Sequence, residues 1–256
     1  MDLLQALLLS IVEGITEFLP ISSTGHLLLA TNFLKIPQTE FVKSFEVIIQ
    51  LGAVLSVVVL YWKKLVGNFK LWKNIIAAFI PTAVVGLVFY DFIKAVLFEN
   101  ILVVVAALFV GGIILIIIEK LFKEKDFAID SVDKLTLKQS FLIGIAQSFS
   151  VIPGTSRAAS TIIGGLLVGA NRKVAVEFSF LLAIPTMMAA TGLDLVKSEF
   201  NFSSNELMIL GIGFIGSFIT AMLVVKWFIK FVQTNNFFWF GVYRIVLALI
   251  FLLFLM

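Results

Sequence analysis

Six long apolar stretches with almost no charge constrain this sequence more than any other feature. They lie at 44–62, 74–93, 100–118, 174–196, 207–225 and 237–256. A bilayer core is crossed by a helix of about 20 apolar residues, so each stretch predicts a transmembrane helix. The residues do not alternate between apolar and polar, as they would in an outer-membrane barrel. We therefore expect an all-α polytopic membrane protein with six transmembrane helices.

The composition excludes several classes of protein. Of the 256 residues, 61% are apolar and 14% are charged, whereas a soluble domain is about half apolar and a quarter charged. The mean hydropathy is +1.11. A net charge of +3 without a basic run does not suit a nucleic-acid partner. The chain has no cysteine, which excludes disulfides and thiolate metal sites.

Two further apolar regions, 1–34 and 139–170, are interrupted near their middle by Pro, Gly and Ser, at 19–26 and 152–160. Such breaks persist in a membrane only where they are buried in protein or line a wet cavity. We therefore expect two re-entrant helical hairpins. With the loop 63–73 in the cytoplasm, 13 of the 19 Lys and Arg residues are cytoplasmic and four are external, as the positive-inside rule expects.

The two broken regions align with each other at a constant offset and without a gap, which places Pro20 on Pro153 and Ser23 on Ser156. The first hairpin then enters from outside and the second from the cytoplasm. We predict an inverted-topology repeat, in which sites form near the midplane where broken helices meet. Its halves span approximately 1–121 and 134–254 of a single membrane domain, 1–256.

Ionisable residues inside a membrane are costly, so those of the first hairpin are functional candidates. Glu13 and Glu17 are four residues apart and share one helix face. Two such carboxylates repel each other unless a cation or an arginine lies between them. The alternative is a pair of helix-surface glutamates at the membrane interface.

The tip of the first hairpin contains Ser22, Ser23, Thr24, Gly25 and His26, the only histidine of the chain. Hydroxyl and backbone N–H groups in such a turn can hold an anion where a half-helix begins. His26 can take the proton of Ser23 or attack phosphorus itself. The alternative is a tip whose hydroxyls only cap the broken helix.

The second tip places Arg157 beside Thr155 and Ser156, with Ser160 and Thr161 on the following turn. A planar guanidinium suits phosphate better than an ammonium does. The alternative is a buried Arg–Glu pair that joins the two halves.

Arg244 is a weaker candidate, and we expect it to snorkel or to pair with Glu177 or Asp194. Carboxylates, a histidine, hydroxyls and Arg157 at the midplane suit phosphoryl transfer from a lipid-borne phosphate, because charge develops on the phosphoryl oxygens. The competing class is a transporter, either a polyprenyl-phosphate flippase or an inverted-repeat anion carrier.

Four segments carry a family resemblance: EGITEFLPISSTGH at 13–26, FEVIIQLGA at 45–53, PGTSRAAS at 153–160 and EFSFLLAIP at 177–185. In this order they resemble the undecaprenyl-diphosphate phosphatase family, also called bacitracin-resistance proteins. The resemblance implies removal of the terminal phosphate of undecaprenyl diphosphate. That reaction regenerates the lipid carrier of cell-wall synthesis in the bacterial inner membrane.

The resemblance also implies roles for particular residues. The family's paired acidic motif falls on Glu13 and Glu17, which are expected to bind a divalent cation, Mg²⁺ or Ca²⁺. The serine-rich and arginine motifs fall on Ser22, Ser23, Thr24 and His26 and on Ser156, Arg157 and Thr161. A homodimer with its active site on the external side is expected as well.

These observations lead to a mechanistic hypothesis. Arg157 and the region of Ser156 hold the phosphates, and Ser23 attacks with His26 as general base. Glu17 orients His26 or binds the cation. Attack by His26 itself remains the alternative.

Overall fold

The computed structural model describes residues 1–92, 100–122, 128–197 and 202–255. Within these ranges the chain is helical, and its only β pairing is one isolated bridge, Ile129 with Ala170. The helices are α1 Leu3–Thr16, α2 Ser23–Phe33, α3 Glu40–Leu60, α4 Trp62–Leu65, α5 Phe69–Val88, α6 Tyr90–Phe92, α7 Ile101–Leu121, α8 Leu137–Ser148, α9 Arg157–Leu167, α10 Arg172–Lys197, α11 Ser204–Phe231 and α12 Phe238–Leu255.

Among the described residues, five helices are long and apolar enough to cross a membrane: α3, α5, α7, α10 and α11. Large apolar side chains are exposed along their outer faces, as a lipid environment requires. The prediction of an all-α, multi-pass membrane protein is confirmed. The sixth predicted span corresponds to α12, an apolar helix that packs along α7. Residues 93 and 256, at the ends of two predicted stretches, lie outside the described ranges.

Both predicted breaks are present as sharp turns between two helices. The second helix of each hairpin begins after a serine with positive φ: Ser22 and Ser156, both at φ 71°. The Ser22 hydroxyl accepts a bond from the Gly25 N–H at 3.4 Å, and that of Ser156 accepts one from the Ala159 N–H at 3.1 Å. These N-caps offset part of the cost of a backbone conformation that L-residues rarely adopt.

In each hairpin, one glutamine side chain makes an equivalent hydrogen bond between the two helices. The amide of Gln5 donates to the Leu34 carbonyl at 3.3 Å, and that of Gln139 donates to the Val168 carbonyl at 3.2 Å. Each bond joins the start of the first helix to the end of the second. The two hairpins therefore have the same internal construction.

These equivalent bonds set the register between the hairpins. The separation along the chain is the same for Gln5 and Gln139 as for Ser22 and Ser156. It is longer by one position than the separation of Pro20 and Pro153. The predicted alignment of the two tips is therefore wrong by one position. The first tip has two adjacent serines, Ser22 and Ser23, and a comparison of residue types alone can match either of them to Ser156. Ser156 is equivalent to Ser22, and not to Ser23.

Close helix packing brings the two tips together inside the protein. Helix α1 packs on α11, and α8 packs on α5. Gly144 meets the backbone of Ala78, so the axes of α5 and α8 approach closely. The rings of Phe18 and Phe180 meet edge to face at 5.2 Å in the buried core that surrounds the tips.

Candidate active site

Residues of both hairpin tips meet at one carboxylate, that of Glu17. Glu17 Oε1 accepts a bond from Arg157 Nη2 at 2.9 Å, and Oε2 accepts one from the Ser23 hydroxyl at 2.7 Å. The Glu17 and Arg157 side chains are only 5% and 8% exposed. Charge-assisted bonds of this kind are strong where water is excluded. The structure thus joins three predicted site residues in one buried cluster.

Helix α10 holds the guanidinium of Arg157 from the other side. Arg157 Nη1 donates to the Ser179 carbonyl at 2.8 Å, and the guanidinium lies 5.6 Å from the centre of the Phe18 ring. The Thr161 hydroxyl donates to the Ser179 hydroxyl at 2.6 Å. Ser179 was missed by the sequence reasoning, although it lies in the EFSFLLAIP segment. Arg157 Nε is buried without a hydrogen-bond partner.

Glu13 is fully buried, and neither of its carboxylate oxygens has a hydrogen-bond partner. Glu17, Glu46 and Arg157 are the charged groups that act on it. Glu46 was also missed, although it is the only acidic residue in the stretch 44–62. Unpaired oxygens in a buried position fit a group that binds a cation or a proton. Among the described residues, no three His, Asp or Glu side chains gather as a metal cluster.

His26 is bound at both ring nitrogens, and neither bond goes to Ser23. Nδ1 lies 2.7 Å from the Ser22 carbonyl oxygen, and Nε2 lies 2.7 Å from the Tyr243 hydroxyl. The sequence hypothesis made His26 the general base for Ser23, whereas in the structure the Ser23 hydroxyl donates to Glu17. The sequence could not reveal this, because Ser23 lies within reach of both side chains along the chain.

The other predicted hydroxyl groups support the tips themselves. Ser22 and Ser156 cap the second helices, and the Ser160 hydroxyl donates to the Ser156 carbonyl at 3.1 Å. Thr24 is exposed, and the carbonyl of Thr155 accepts a bond from a buried guanidinium. The Ser22 and Ser156 hydroxyls therefore act as helix caps in this structure.

That guanidinium belongs to Arg244 of α12, which is fully buried. Its bonds run to five backbone carbonyls, at distances of 3.0–3.4 Å: Pro20 in the first tip, Gly154 and Thr155 in the second, and Ala107 and Leu108 of α7. Arg244 therefore joins both tips to the same helix.

The expectation that Arg244 snorkels or pairs with Glu177 is wrong. Glu177 accepts a salt bridge from Lys64 at 2.8 Å, and the side chain of Asp194 lies outside the described residues. Backbone carbonyls leave no pattern in a sequence, so this contact could not be read from residue types.

The fold and the site define a class of protein: a multi-pass helical membrane protein whose two broken helices bring a glutamate, a serine and an arginine into one buried cluster. The chain belongs to the bacitracin resistance protein BacA family, whose model matches residues 6–250. The resemblance carried by the sequence motifs is confirmed.

Three relatives show how far the similarity extends. The undecaprenyl-diphosphatase of Aquifex aeolicus (strain VF5) is 56% identical over 247 residues, 96% of each chain. That of Wolinella succinogenes is 48% identical over 255 residues, 100% of this chain and 99% of the relative. That of Campylobacter jejuni subsp. jejuni serotype O:6 is 50% identical over 252 residues, 98% of this chain and 94% of the relative.

Proposed function

We infer that this protein is an undecaprenyl-diphosphate phosphatase, an enzyme that releases inorganic phosphate and undecaprenyl phosphate and so recycles the lipid carrier of cell-wall synthesis. The relatives' names support this reaction over lipid or anion transport. The observation that carries the inference is the buried cluster of Glu17, Ser23 and Arg157, which needs both hairpins to form.

Arg157 and the N-terminal ends of α2 and α9 would bind the phosphate groups of the substrate. The N-terminal ends of α2 and α9 present backbone N–H groups at the tips, where the helix dipoles favour an anion. The fork of Arg157 is shared between Glu17 and the Ser179 carbonyl. A phosphate that displaces Glu17 from Arg157 frees that carboxylate to act on Ser23.

The Ser23 hydroxyl already donates to Glu17, which makes this carboxylate the natural acceptor of its proton. Ser23 Oγ bonds to the terminal phosphorus, the bridging P–O bond breaks, and undecaprenyl phosphate leaves with the electron pair. Water then attacks the phosphoserine, Ser23 Oγ leaves and regains a proton, and inorganic phosphate is released. In the alternative, His26 Nε2 attacks, which requires the Tyr243 hydroxyl to turn away first.

A divalent cation, Mg²⁺ or Ca²⁺, fits the free oxygens of Glu13, with Glu17 beside it. When bound, such an ion supplies positive charge against the diphosphate oxygens. Glu13 and Glu17 are the residues that would hold it.

We also propose the finer membrane arrangement: six spans, with α12 as the sixth, and two re-entrant hairpins in an inverted repeat of 1–121 and 134–254. The charge bias supports this orientation of the spans, and the family resemblance supports an active site on the external side of a bacterial inner membrane. A chain without cysteine suits the test. Thr24→Cys in whole cells should react with a membrane-impermeant maleimide, and Lys70→Cys should not. The reverse pattern would contradict the orientation.

A homodimer is proposed together with this arrangement, on the family resemblance. Light scattering of the purified protein in detergent should give twice the chain mass of 28.3 kDa after subtraction of the bound detergent. A single chain mass would remove this proposal.

The reaction is tested by phosphate release from undecaprenyl diphosphate in detergent, where sidedness is lost and turnover means chemistry. Ser23→Ala should lower kcat on the order of 10³-fold or more, as loss of a nucleophile does. Glu17→Gln should lower kcat by about 10²–10⁴-fold, the usual contribution of a general base. Ser56→Ala is the matched control, because Ser56 is a buried serine bonded only within its own helix.

Two results would contradict these inferences separately. Absence of phosphate release by folded wild-type protein, with and without divalent cations, would refute the hydrolase. Nearly full activity of Ser23→Ala, with loss of activity in His26→Ala, would refute serine attack and support attack by histidine.

A further inference from the structure

We propose that Tyr243 is a positioning residue for His26: its hydroxyl holds the imidazole in one neutral tautomer and in one orientation at the tip of the first hairpin. This proposal rests on the proposed function. Tyr243 lies 217 residues from His26 in the chain, on α12, and its hydroxyl is 2.7 Å from Nε2. None of the sequence motifs described above includes it.

The tautomer follows from the partners of the ring. Nδ1 is 2.7 Å from the Ser22 carbonyl oxygen, and a carbonyl can only accept, so Nδ1 carries the proton. A neutral imidazole then has a bare lone pair at Nε2. The Tyr243 hydroxyl is the donor to that lone pair. The two bonds together leave the ring no freedom to rotate or to exchange its proton between the nitrogens.

Two anchors hold Tyr243 in this place. Its neighbour in sequence, Arg244, is bound to five carbonyls of both tips and of α7, so the backbone of α12 is fixed there. The rings of Tyr243 and His26 are almost parallel, with 6° between their planes and 5.5 Å between their centres. Tyr243 is 44% exposed, whereas Arg157 and Glu17 are buried. Tyr243 and His26 therefore lie on the open side of the site.

A hydroxyl suits this role because it can both donate and accept. While His26 is neutral, the Tyr243 O–H donates to Nε2. When Nε2 is protonated, the same hydroxyl can turn and accept from Nε2–H. The hydrogen bond is kept in both states, so the ring does not move when its charge changes. Phenylalanine in this position would preserve the ring packing and lose the bond.

The first test is the state of the imidazole, which does not depend on turnover. His26 is the only histidine, so ¹⁵N-histidine labelling gives a single ring to observe. In wild type we expect Nδ1 to show the shift of a protonated nitrogen and Nε2 that of a hydrogen-bonded unprotonated one. Tyr243→Phe should move the Nε2 signal or populate both tautomers. Tyr61→Phe, the control, should leave the spectrum unchanged.

The second test is kinetic. Tyr243→Phe should lower kcat on the order of 10-fold with little change in KM, because a loosely held imidazole at the site affects the chemical step more than binding. Its pH–rate profile should also change shape, and that of Tyr61→Phe should not. Equal melting temperatures of the two variants would show that the effect is local.

The possible negative results contradict different parts of the proposal. A wild-type spectrum with the proton on Nε2, or an unchanged spectrum in Tyr243→Phe, would overturn the proposed tautomer. A changed spectrum with unchanged kcat and pH profile would overturn the role in the reaction and leave the hydrolase intact. Wild-type protein that shows the expected spectrum and releases no phosphate would refute the proposed function alone.

Discussion

Replacement of Arg244 should loosen both hairpin tips at once. Of its five carbonyl partners, Ala107 and Leu108 belong to α7, where carbonyls also accept helical bonds. The other three, in Pro20, Gly154 and Thr155, lie in the turns outside the helices. A buried acceptor that loses its partner costs about 1–3 kcal/mol, so Arg244→Met should cost about 3–9 kcal/mol from these groups.

Removal of the charge offsets part of this destabilisation, because a guanidinium buried in the protein interior carries a desolvation cost that methionine does not have. We therefore expect a net destabilisation of about 3 kcal/mol for Arg244→Met. In a chain of this size that corresponds to a melting temperature lower by about 6–12 °C. Arg244→Lys should keep the charge but lose tip contacts, because an ammonium has three donors and no planar fork.

The assay is thermal unfolding in detergent, followed by tryptophan fluorescence, with phosphate release measured below the transition. A substitution in α7 tests the same contact, because a methyl group at Gly111 would collide with the Arg244 guanidinium. Gly111→Ala should therefore reproduce the effect, and Gly86→Ala, with open space at its Cβ position, should not. A melting temperature of Arg244→Met within about 2 °C of wild type, with unchanged kcat, would show that Arg244 does not hold the two tips.

Substitutions at Ser156, Gly144 and Glu13 test other contacts. Ser156→Gly relieves the φ of 71° and loses only a weak cap, so it should melt no lower than wild type, whereas Ser156→Ala should melt lower. Gly144→Ala forces α8 away from the Ala78 backbone and should cost about 1–3 kcal/mol in denaturant unfolding, with Gly211→Ala as the unhindered control. Glu13→Gln keeps the side-chain shape and should abolish any stimulation of kcat by added Mg²⁺ or Ca²⁺; stimulation that survives would place the cation elsewhere.

The helices and the breaks between them were predictable from the sequence, because each follows from a local property. Apolar stretches must bury their backbone groups in helices inside a membrane. A run such as that from Pro20 to Gly25 cannot continue a helix in hydrocarbon without other partners. The members of the site were found in the same way, since Glu17, Ser23 and Arg157 are polar residues at those breaks.

The pairing within the site was not predictable. Two acceptors, His26 and Glu17, lie within reach of Ser23 in the sequence, and only the path of the turn selects Glu17. Arg244 and Tyr243 act from the last helix on groups that are distant from them along the chain. Their partners include backbone carbonyls, which are present at every position. A residue-type pattern therefore carries no information on them.

The alignment that makes Ser22 equivalent to Ser156 shows which side chain each hairpin contributes to the site. At Glu13 of the first hairpin the second has Gln147, a neutral amide bonded to Thr82 and Thr186. Three more site residues of the first hairpin have a different residue type at the equivalent position of the second: Glu17 with Val151, Ser23 with Arg157 and His26 with Ser160. The two hairpins thus differ at the positions that form the site, and each contributes different groups to it. The cluster of Glu17, Ser23 and Arg157 therefore cannot form from two copies of one hairpin. Two copies of the first hairpin would lack Arg157, and two copies of the second would lack Glu17 and Ser23.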